Sequence, residues 1–172
     1  CLVKNFNLFI VFLLLTGCGP TLSPTSITEV ICPPVLFSSD HGRYIGADSQ
    51  QISIDNLTFE AAINNAVFLE GCQLEDNNFS SNLSLLFIAK PLNISQEIIN
   101  LPFYVAILSL NDDILDIQYY TTTGMFQKNI DTQEFEELEI RENVLISNKS
   151  QEEGGKIVVG FMLDEKRMEI LN

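Results

Sequence analysis

Apolar and polar residues alternate in several segments between Leu57 and Leu163, and this periodicity is the strongest constraint on how the chain can fold. Every second residue is apolar in 57–63 and again in 83–89, which places the apolar side chains on one face of a β-strand. A half-buried strand face must be covered by another layer. The pattern therefore predicts packed sheets, and it recurs in the segments 115–119, 138–140 and 157–163.

Turn-forming residues separate these segments. The sequences "EDNN" at 75–78, "NDD" at 111–113 and Gly154-Gly155 predict turns, and the clearest hairpin is centred on 111–113. Before that turn, 103–110 is apolar on both faces, which is typical of a central strand. After it, Asp116 and Gln118 are expected to face outward. Pro33-Pro34 cannot donate ladder hydrogen bonds, so the segment that follows suits the beginning of an edge strand.

About seven short strands with almost no long helical pattern predict an all-β fold, an antiparallel Ig-like, Greek-key β-sandwich. The chain has no Trp, so the marker residue of true immunoglobulin domains is absent. The one helical candidate is the tail, where Asp164 can cap "EKRMEIL" with Met168 and Leu171 on one face. This short C-terminal helix is expected to plug an end of the sandwich.

The N-terminal residues 1–17 have the three parts of a secretory signal peptide. Lys4 precedes an unbroken apolar run over 8–15, and Thr16-Gly17 supplies the small-residue exit. A start at Val3 would give a compact signal. A transmembrane helix needs about 20 apolar residues, so this run is too short to span a bilayer.

The four residues Leu15-Thr16-Gly17-Cys18 resemble the lipobox of bacterial lipoproteins. The resemblance implies that Cys18 carries a thioether-linked diacylglycerol and becomes the new N-terminus after cleavage. Gly19 stands where Asp would retain such a protein on the inner membrane, which implies the outer membrane, facing the periplasm. Residues 18–31 are then expected to be a lipid-anchored linker, and 32–172 the β-sandwich domain.

Cys32 and Cys72 are the thiols that remain once Cys18 is acylated. Export would place them in an oxidising compartment, so we predict that they form a disulfide. Closing a loop of about 40 residues would stabilise the fold by roughly 3 to 4.5 kcal/mol in the chain-entropy model. The alternative of a redox or metal-binding pair lacks a CxxC spacing and an adjacent His.

Net charge disfavours one class of partner. Without Lys4, the mature chain has 8 basic and 23 acidic residues, and 8 − 23 gives −15. Nucleic acids and anionic lipid surfaces attract clustered Lys and Arg, so no nucleic-acid partner is expected. With 46% hydrophobic residues, the chain is too apolar to be disordered.

His41 is the single histidine, and with Asp40, Ser38 and Ser39 nearby it suggests a hydrolase triad. The sequence has no nucleophile elbow or oxyanion motif to go with it. We therefore interpret His41 as an ordinary polar loop residue, and no catalytic residue or cofactor is predicted.

Two acidic groups offer oxygen ligands for Ca²⁺, although EF-hand spacing is absent. Acids that alternate along a strand usually form a solvated face, so no metal ligand is predicted. A calcium or small-ligand site stays the alternative, with these acids as its candidates: Asp112, Asp113, Asp116, Glu134, Glu136, Glu137 and Glu139.

Tyr119-Tyr120 and Thr121–Thr123 could form an exposed strand edge that pairs with a partner protein. The same residues are also frequent in strands for their propensity alone.

Five stretches together resemble a group of uncharacterised proteobacterial lipoproteins. They are "CPPV", "TFEAAI", the second Cys, "PFYVAILSLNDDIL" and "VVGFMLDEKRMEIL", in that order. The resemblance implies a lipid-anchored β-domain with the Cys18 lipid site and the Cys32–Cys72 bridge, and it transfers no catalytic residue. The expected function is a non-enzymatic envelope module with an envelope protein as partner and the membrane bound through the lipid.

Overall fold

The computed structural model describes residues 27–75, 78–94, 97–148 and 155–172. Within these ranges the chain forms ten β-strands, a short 3₁₀ turn and one α-helix. The strands are β1 Ile27–Val30, β2 Val35–Phe37, β3 Arg43–Ala47, β4 Leu57–Phe68, β5 Cys72–Glu75, β6 Asn78–Pro91, β7 Ile98–Leu108, β8 Ile114–Met125, β9 Leu138–Asn148 and β10 Lys156–Phe161, and the helix is α1 Glu165–Leu171.

The strands form two sheets. In the large sheet the order is β1-β5-β6-β4-β3, and β9 pairs with β6 along its other edge. In the small sheet the order is β2-β10-β7-β8. Neighbouring strands are antiparallel except β2 and β10, which are parallel. The predicted all-β, antiparallel sandwich is confirmed, with more strands than the seven expected.

The core lies between the two sheets. On β6 every second side chain from Leu83 to Ala89 is fully buried, as the alternation predicted. Phe87 is central among these side chains, with its ring centroid 5.0 Å from that of Phe103 on β7 and 5.7 Å from that of Phe161 on β10. Aromatic contacts of this kind join the two sheets and fix their spacing.

The predicted hairpin around 111–113 is confirmed between β7 and β8. Ser109 N–H donates to the Asp113 carbonyl oxygen at 2.9 Å, and the Ser109 hydroxyl oxygen accepts from the N–H groups of Asn111 and Asp113. Asp112 has a φ of 68°, a left-handed conformation that Asp tolerates in turns. As predicted, β7 is a central strand, between β10 and β8. Residues 76–77 and 154, in two other predicted turns, lie outside the described ranges.

The expected orientation of β8 is wrong. Asp116 and Gln118 do not face outward. Both are half-buried on the core side of β8, the side that also carries Tyr120. The Tyr120 ring stacks on the Phe103 ring, with 5.3 Å between the two centroids. Pairing with β7 sets this register, because Gln118 lies opposite the buried Val105. The apolar residues of 115–119 therefore face outward.

The folded domain begins before the predicted boundary at residue 32. Strand β1 lies within the segment expected to be linker, and it pairs with β5 in the register Ile27↔Glu75 to Val30↔Cys72. Its residues are mostly exposed, which explains why they carry no apolar periodicity. The edge position of the segment after Pro33-Pro34 is confirmed, since β2 ends the small sheet.

The Cys32–Cys72 disulfide is confirmed. The Cα atoms are 5.1 Å apart, and Cys72 is fully buried at the start of β5. The bridge links Cys32, in the segment between β1 and β2, to the first residue of β5, next to the Val30↔Cys72 pair of the β1–β5 ladder. It therefore fixes the end of β1 against β5 and closes 40 residues of sequence.

The predicted C-terminal helix is confirmed. The Asp164 carboxylate accepts a hydrogen bond from the Arg167 backbone N–H at 2.8 Å, as an N-cap residue should. The Arg167 side chain donates from Nε to the Ile45 carbonyl oxygen at 2.9 Å and lies over the Tyr44 ring. These contacts hold α1 against β3.

Two buried serines lead to opposite predictions. The Ser81 hydroxyl is buried without a hydrogen-bond partner among the described residues, whereas the Ser109 hydroxyl accepts two turn hydrogen bonds. We expect Ser81→Ala to leave the free energy of unfolding unchanged or raise it by up to about 1 kcal/mol, and Ser109→Ala to lower it by about 1 kcal/mol. Urea unfolding measures both, and a large loss in Ser81→Ala would contradict the prediction.

Candidate interaction surface

Several predicted residues lie outside the described ranges. Cys18, the signal peptide 1–17 and most of the linker 18–31 belong to this group. Within the described part of the chain, no helix is long and apolar enough to cross a membrane.

His41 has structural contacts in the loop between β2 and β3. Its ring packs edge-on against Tyr104, with 3.4 Å between Nδ1 and the Tyr104 hydroxyl oxygen, and its carbonyl oxygen accepts from Phe161 N–H at 2.7 Å. The Ser39 hydroxyl donates to Asp40, its neighbour in sequence. The Ser38 hydroxyl oxygen accepts from the His41 backbone N–H at 3.3 Å. The ring of His41 is thus bonded to Tyr104 and to neither serine, and His41 holds its loop against β7 and β10.

The acidic candidates are distributed over separate contacts. An Asp112 carboxylate oxygen lies 2.5 Å from the Lys156 ammonium nitrogen, Asp116 accepts from Gln118, and Glu136 accepts from Asn129. Within the described ranges, no three His, Cys, Asp or Glu side chains are grouped as metal ligands.

Strand β8, which carries Tyr119 and the threonines, is an edge strand of the small sheet. Its two tyrosines differ, because Tyr119 points outward and is 64% exposed whereas Tyr120 packs on the core. Thr122 is buried, and the Thr123 hydroxyl donates to the Asn100 side chain on β7 at 2.8 Å. Tyr119 is the large exposed side chain of this group, beside the exposed Thr121 and Thr123.

A polar chain on the inner side of β8 reaches β9 of the large sheet. The Tyr120 hydroxyl donates to Gln118 Oε1 at 2.7 Å, and Gln118 Nε2 donates to Asp116 and to the Ser147 carbonyl oxygen at 2.9 and 3.2 Å. Burial, and to a smaller extent the Asp116 carboxylate, raise the pKa of Tyr120. This chain bridges the edges of the two sheets.

The raised pKa of Tyr120 predicts loss of stability at high pH. In the unfolded chain the Tyr pKa is about 10, so the folded state binds the phenol proton more tightly. The stabilisation is therefore fully present below pH 10 and is lost as the pH rises through the folded-state pKa. We expect the melting temperature to fall above about pH 10, less steeply in Tyr120→Phe. If the melting temperature fell equally steeply with pH in the natural protein and in Tyr120→Phe, this assignment would be contradicted. Burial also raises the pKa of Tyr44, which contributes to both curves.

The outer face of the small sheet has two apolar rows, next to rows that contain Asn100, Thr121 and Thr123. Strand pairing aligns Leu36, Val158, Ala106 and Ile117 in one row across all four strands. The next row contains Tyr104 and Tyr119, and the Tyr104 ring lies across Gly160, where a Cβ atom would be 2.6 Å from the Tyr104 hydroxyl. We call this surface the apolar face; its residues are Leu36, Tyr104, Ala106, Ile117, Tyr119, Val158 and Gly160.

The apolar face carries no charged residue. Lys156 lies beyond the row of Val158 and pairs with Asp112. Leu36 is 46% exposed and Tyr119 64% exposed, whereas Ala106, in the row of Leu36, is only 5% exposed. Apolar side chains that stand together in solvent on a folded domain are a candidate interaction site.

The outer face of the large sheet has the opposite character. It contains a shallow trough of about 630 Å³ with the apolar side chains of Ala62, Leu86 and Ile88 on its floor. Charged residues surround the floor, in the pairs Arg43–Glu60 at 3.7 Å and Lys90–Glu137 at 3.9 Å, with Glu139 close by. These pairs are exposed and contribute about 0–1 kcal/mol each. This face is adapted to solvent, and the apolar face is the candidate interaction surface.

Sequence reasoning did not find the apolar face, although a signal was present. A strand that is apolar on both faces was interpreted as a central strand, which β7 is, but in this two-layer fold the core covers only one of its faces. Tyr119 lies on the exposed edge strand that was one of the two interpretations of these residues, although the alternation had predicted that its side chain faces the core.

Comparisons with known proteins give no family. No family model matches the chain, and no curated protein matches it either. Among solved structures it is similar to the Streptococcus agalactiae AgI/II polypeptide BspA variable (V) domain, at 9% identity over 74% of this chain and 77% of that chain. The TM-score is 0.19, a level at which the similarity carries no argument about function.

Proposed function

We propose that this chain is a lipid-anchored β-sandwich on the periplasmic side of the outer membrane, and that it acts by binding an envelope protein without catalysing a reaction. The lipobox-like residues Leu15–Cys18 support the anchor. The apolar face supports the binding role, and it is the single observation that carries it.

Strand β7 carries apolar side chains on both of its faces. The inner face, with Phe103 and Val105 fully buried, accounts for the stability of the sandwich. Burying a large apolar side chain contributes about 1.5–3 kcal/mol relative to leaving it in water. Leu36 and Tyr119 on the outer face gain little of this while exposed, so a partner that covers them would gain binding energy from both.

The acidic remainder of the surface supports the same proposal. The net charge of the mature chain, 8 − 23 or −15, keeps the domain soluble and disfavours contacts with anionic surfaces. The charge-free face is therefore where a partner can bind at the least electrostatic cost. The lipid would hold the domain at the membrane, which raises the chance of meeting another anchored protein.

A photo-crosslinking experiment tests the proposal. A photoreactive phenylalanine analogue at Tyr119, on the apolar face, should give a covalent adduct with a protein in intact cells. The same analogue at Glu139, on the large sheet, is the matched control and should give adducts only at background. Equal background at both positions would contradict the proposal.

A further inference from the structure

We propose that the free edge of β3 is a separate binding site, which takes an extended peptide segment as an added strand, and that α1 covers this edge until the helix is released. The inference goes beyond the proposed function, because it concerns the large sheet and not the apolar face. It is carried by the contacts of Arg167.

The backbone of β3 has hydrogen-bonding groups that point away from β4. The Gly42 carbonyl oxygen, just before β3, accepts from Ile63 N–H of β4 at 3.2 Å. Antiparallel pairing with β4 then continues without a shift from Arg43 to Gly46. Successive residues of such a strand point alternately toward the partner strand and away from it. The N–H and C=O groups of Arg43 and Ile45 therefore point to the free edge, since β3 is the last strand of the large sheet on this side.

Arg167 stands where the donor of a neighbouring strand would be. Its Nε donates to the Ile45 carbonyl oxygen at 2.9 Å, as a backbone N–H of an added strand would. Its guanidinium lies 4.8 Å from the centroid of the Tyr44 ring, and an ion pair with Asp164 fixes it there. Tyr44 and Ile45 are 7% and 3% exposed, so this edge segment is buried while the helix is in place.

Helix α1 can leave without disturbing the two sheets. It has seven residues, none of them buried, and it follows β10 in the chain. A helix shorter than about 12 residues is marginal by itself in water, so α1 depends on its contacts with β3. Elements of this kind open locally at a lower free energy than the whole domain needs for unfolding. Release of α1 would expose the edge of β3.

The edge of β3 needs a cover more than the edges of β1 and β2 do. Proteins protect edge strands from pairing by making them short, by placing Pro or charge on them, or by covering them with a helix. Strands β1 and β2 have only four and three residues, and β2 follows Pro33-Pro34. In β3 the residues Tyr44, Ile45 and Gly46 are consecutive, uncharged and buried. The helix is the protection that this edge has.

The chemistry of the edge defines the ligand as an extended, basic peptide segment. An added strand binds through main-chain hydrogen bonds, so its backbone must be extended. An Arg or Lys of the peptide can replace the Arg167 guanidinium over the Tyr44 ring. The charge of the mature chain, 8 − 23 or −15, also attracts a basic segment.

Fluorescence anisotropy with the labelled peptide KTVTVTK and the detergent-solubilised full chain tests the inference. The natural chain should bind the peptide weakly, because affinity is reduced by the small fraction of molecules with an open edge. We expect Arg167→Ala to raise the affinity at least about tenfold by raising that fraction. Lys166→Ala is the matched control, since it removes the same charge from α1 and its ion pair is with Glu169 of the same helix. It should bind as the natural chain does.

A second change places the bound peptide at β3. Arg43→Pro removes an N–H from the free edge, and the Arg43 side chain is 63% exposed, so the fold should tolerate the change. Added to Arg167→Ala, it should abolish the gain in affinity, although it makes the chain more acidic. Circular dichroism checks that each variant keeps its fold.

If Arg167→Ala does not fold, Asp164→Asn replaces it. Asn still caps the helix but leaves the Arg167 guanidinium without its carboxylate. The affinity should again rise, against the loss of one negative charge.

Two results would overturn the inference. One is an affinity of the Arg167→Ala chain, or of its Asp164→Asn substitute, no higher than that of Lys166→Ala. The other is a gain that Arg43→Pro leaves in place, which would put the peptide on another surface. Crosslinking at Tyr119 tests the proposed function separately, so either proposal can fail without the other.

Discussion

Replacing Phe87 with alanine should lower the free energy of unfolding by about 3–5 kcal/mol. Phe87 is fully buried at the middle of β6, and its ring contacts Phe103 and Phe161 of the opposite sheet. The change removes a ring that joins the two layers and leaves a cavity that rigid strands cannot fill. Most single domains have a total stability of only 5–15 kcal/mol, so the effect is a large share of it.

Denaturant unfolding followed by circular dichroism measures the loss. Phe37→Ala is the matched control, because Phe37 is 41% exposed at the end of β2 and should lose much less. Similar losses in the two variants would contradict the position of Phe87 at the centre of the core.

Loss of the Cys32–Cys72 disulfide should cost about 4 kcal/mol. The bridge spans 40 residues, and in the chain-entropy model a loop of that length restricts the unfolded chain by about this amount. It also lies beside the β1–β5 ladder, so its removal weakens the attachment of β1, which is short and mostly exposed. We expect this edge of the large sheet to loosen first.

Unfolding by urea with and without a reductant measures this effect. Reductant should shift the midpoint of the natural chain to lower urea and leave a Cys32→Ser, Cys72→Ser double variant unaffected. If the natural chain had the same midpoint in both conditions, the bridge would contribute no stability.

The alternation of apolar and polar residues along the strands was the part of the fold that could be predicted from the sequence. On β6 one face is solvated and the other is core, so apolar and polar residues must alternate, and the buried set from Leu83 to Ala89 follows directly. The Asp164 cap was predictable for a similar reason, since its side chain satisfies a backbone N–H only a turn away. Local chemistry decides both.

Orientation on an edge strand could not be predicted in this way. On β8 the inner position of Gln118 is polar because it reaches Ser147 on β9, and the outer position of Tyr119 is aromatic because the outer face is apolar. Apolar and polar alternation alone therefore predicts the opposite orientation, with Gln118 outward and Tyr119 inward. Strand β1 was missed because its pairing with β5 depends on backbone hydrogen bonds, which leave no apolar signature.

The candidate surface depends on topology rather than on any motif. Ala106 and Ile117 belong to the β7–β8 hairpin, whereas Val158 comes from a strand distant in sequence and meets them only because β10 pairs with β7. Sequence periodicity indicates that a face is apolar, but only the layer arrangement shows which apolar face is left uncovered.

Mass spectrometry of the N-terminal peptide of the native protein is the most direct test of the anchored-domain proposal. The account predicts a chain that begins at Cys18, with diacylglycerol attached to its sulfur through a thioether bond. A peptide with a free thiol at Cys18, or one that continues uncut through Leu15 to Gly19, would contradict it.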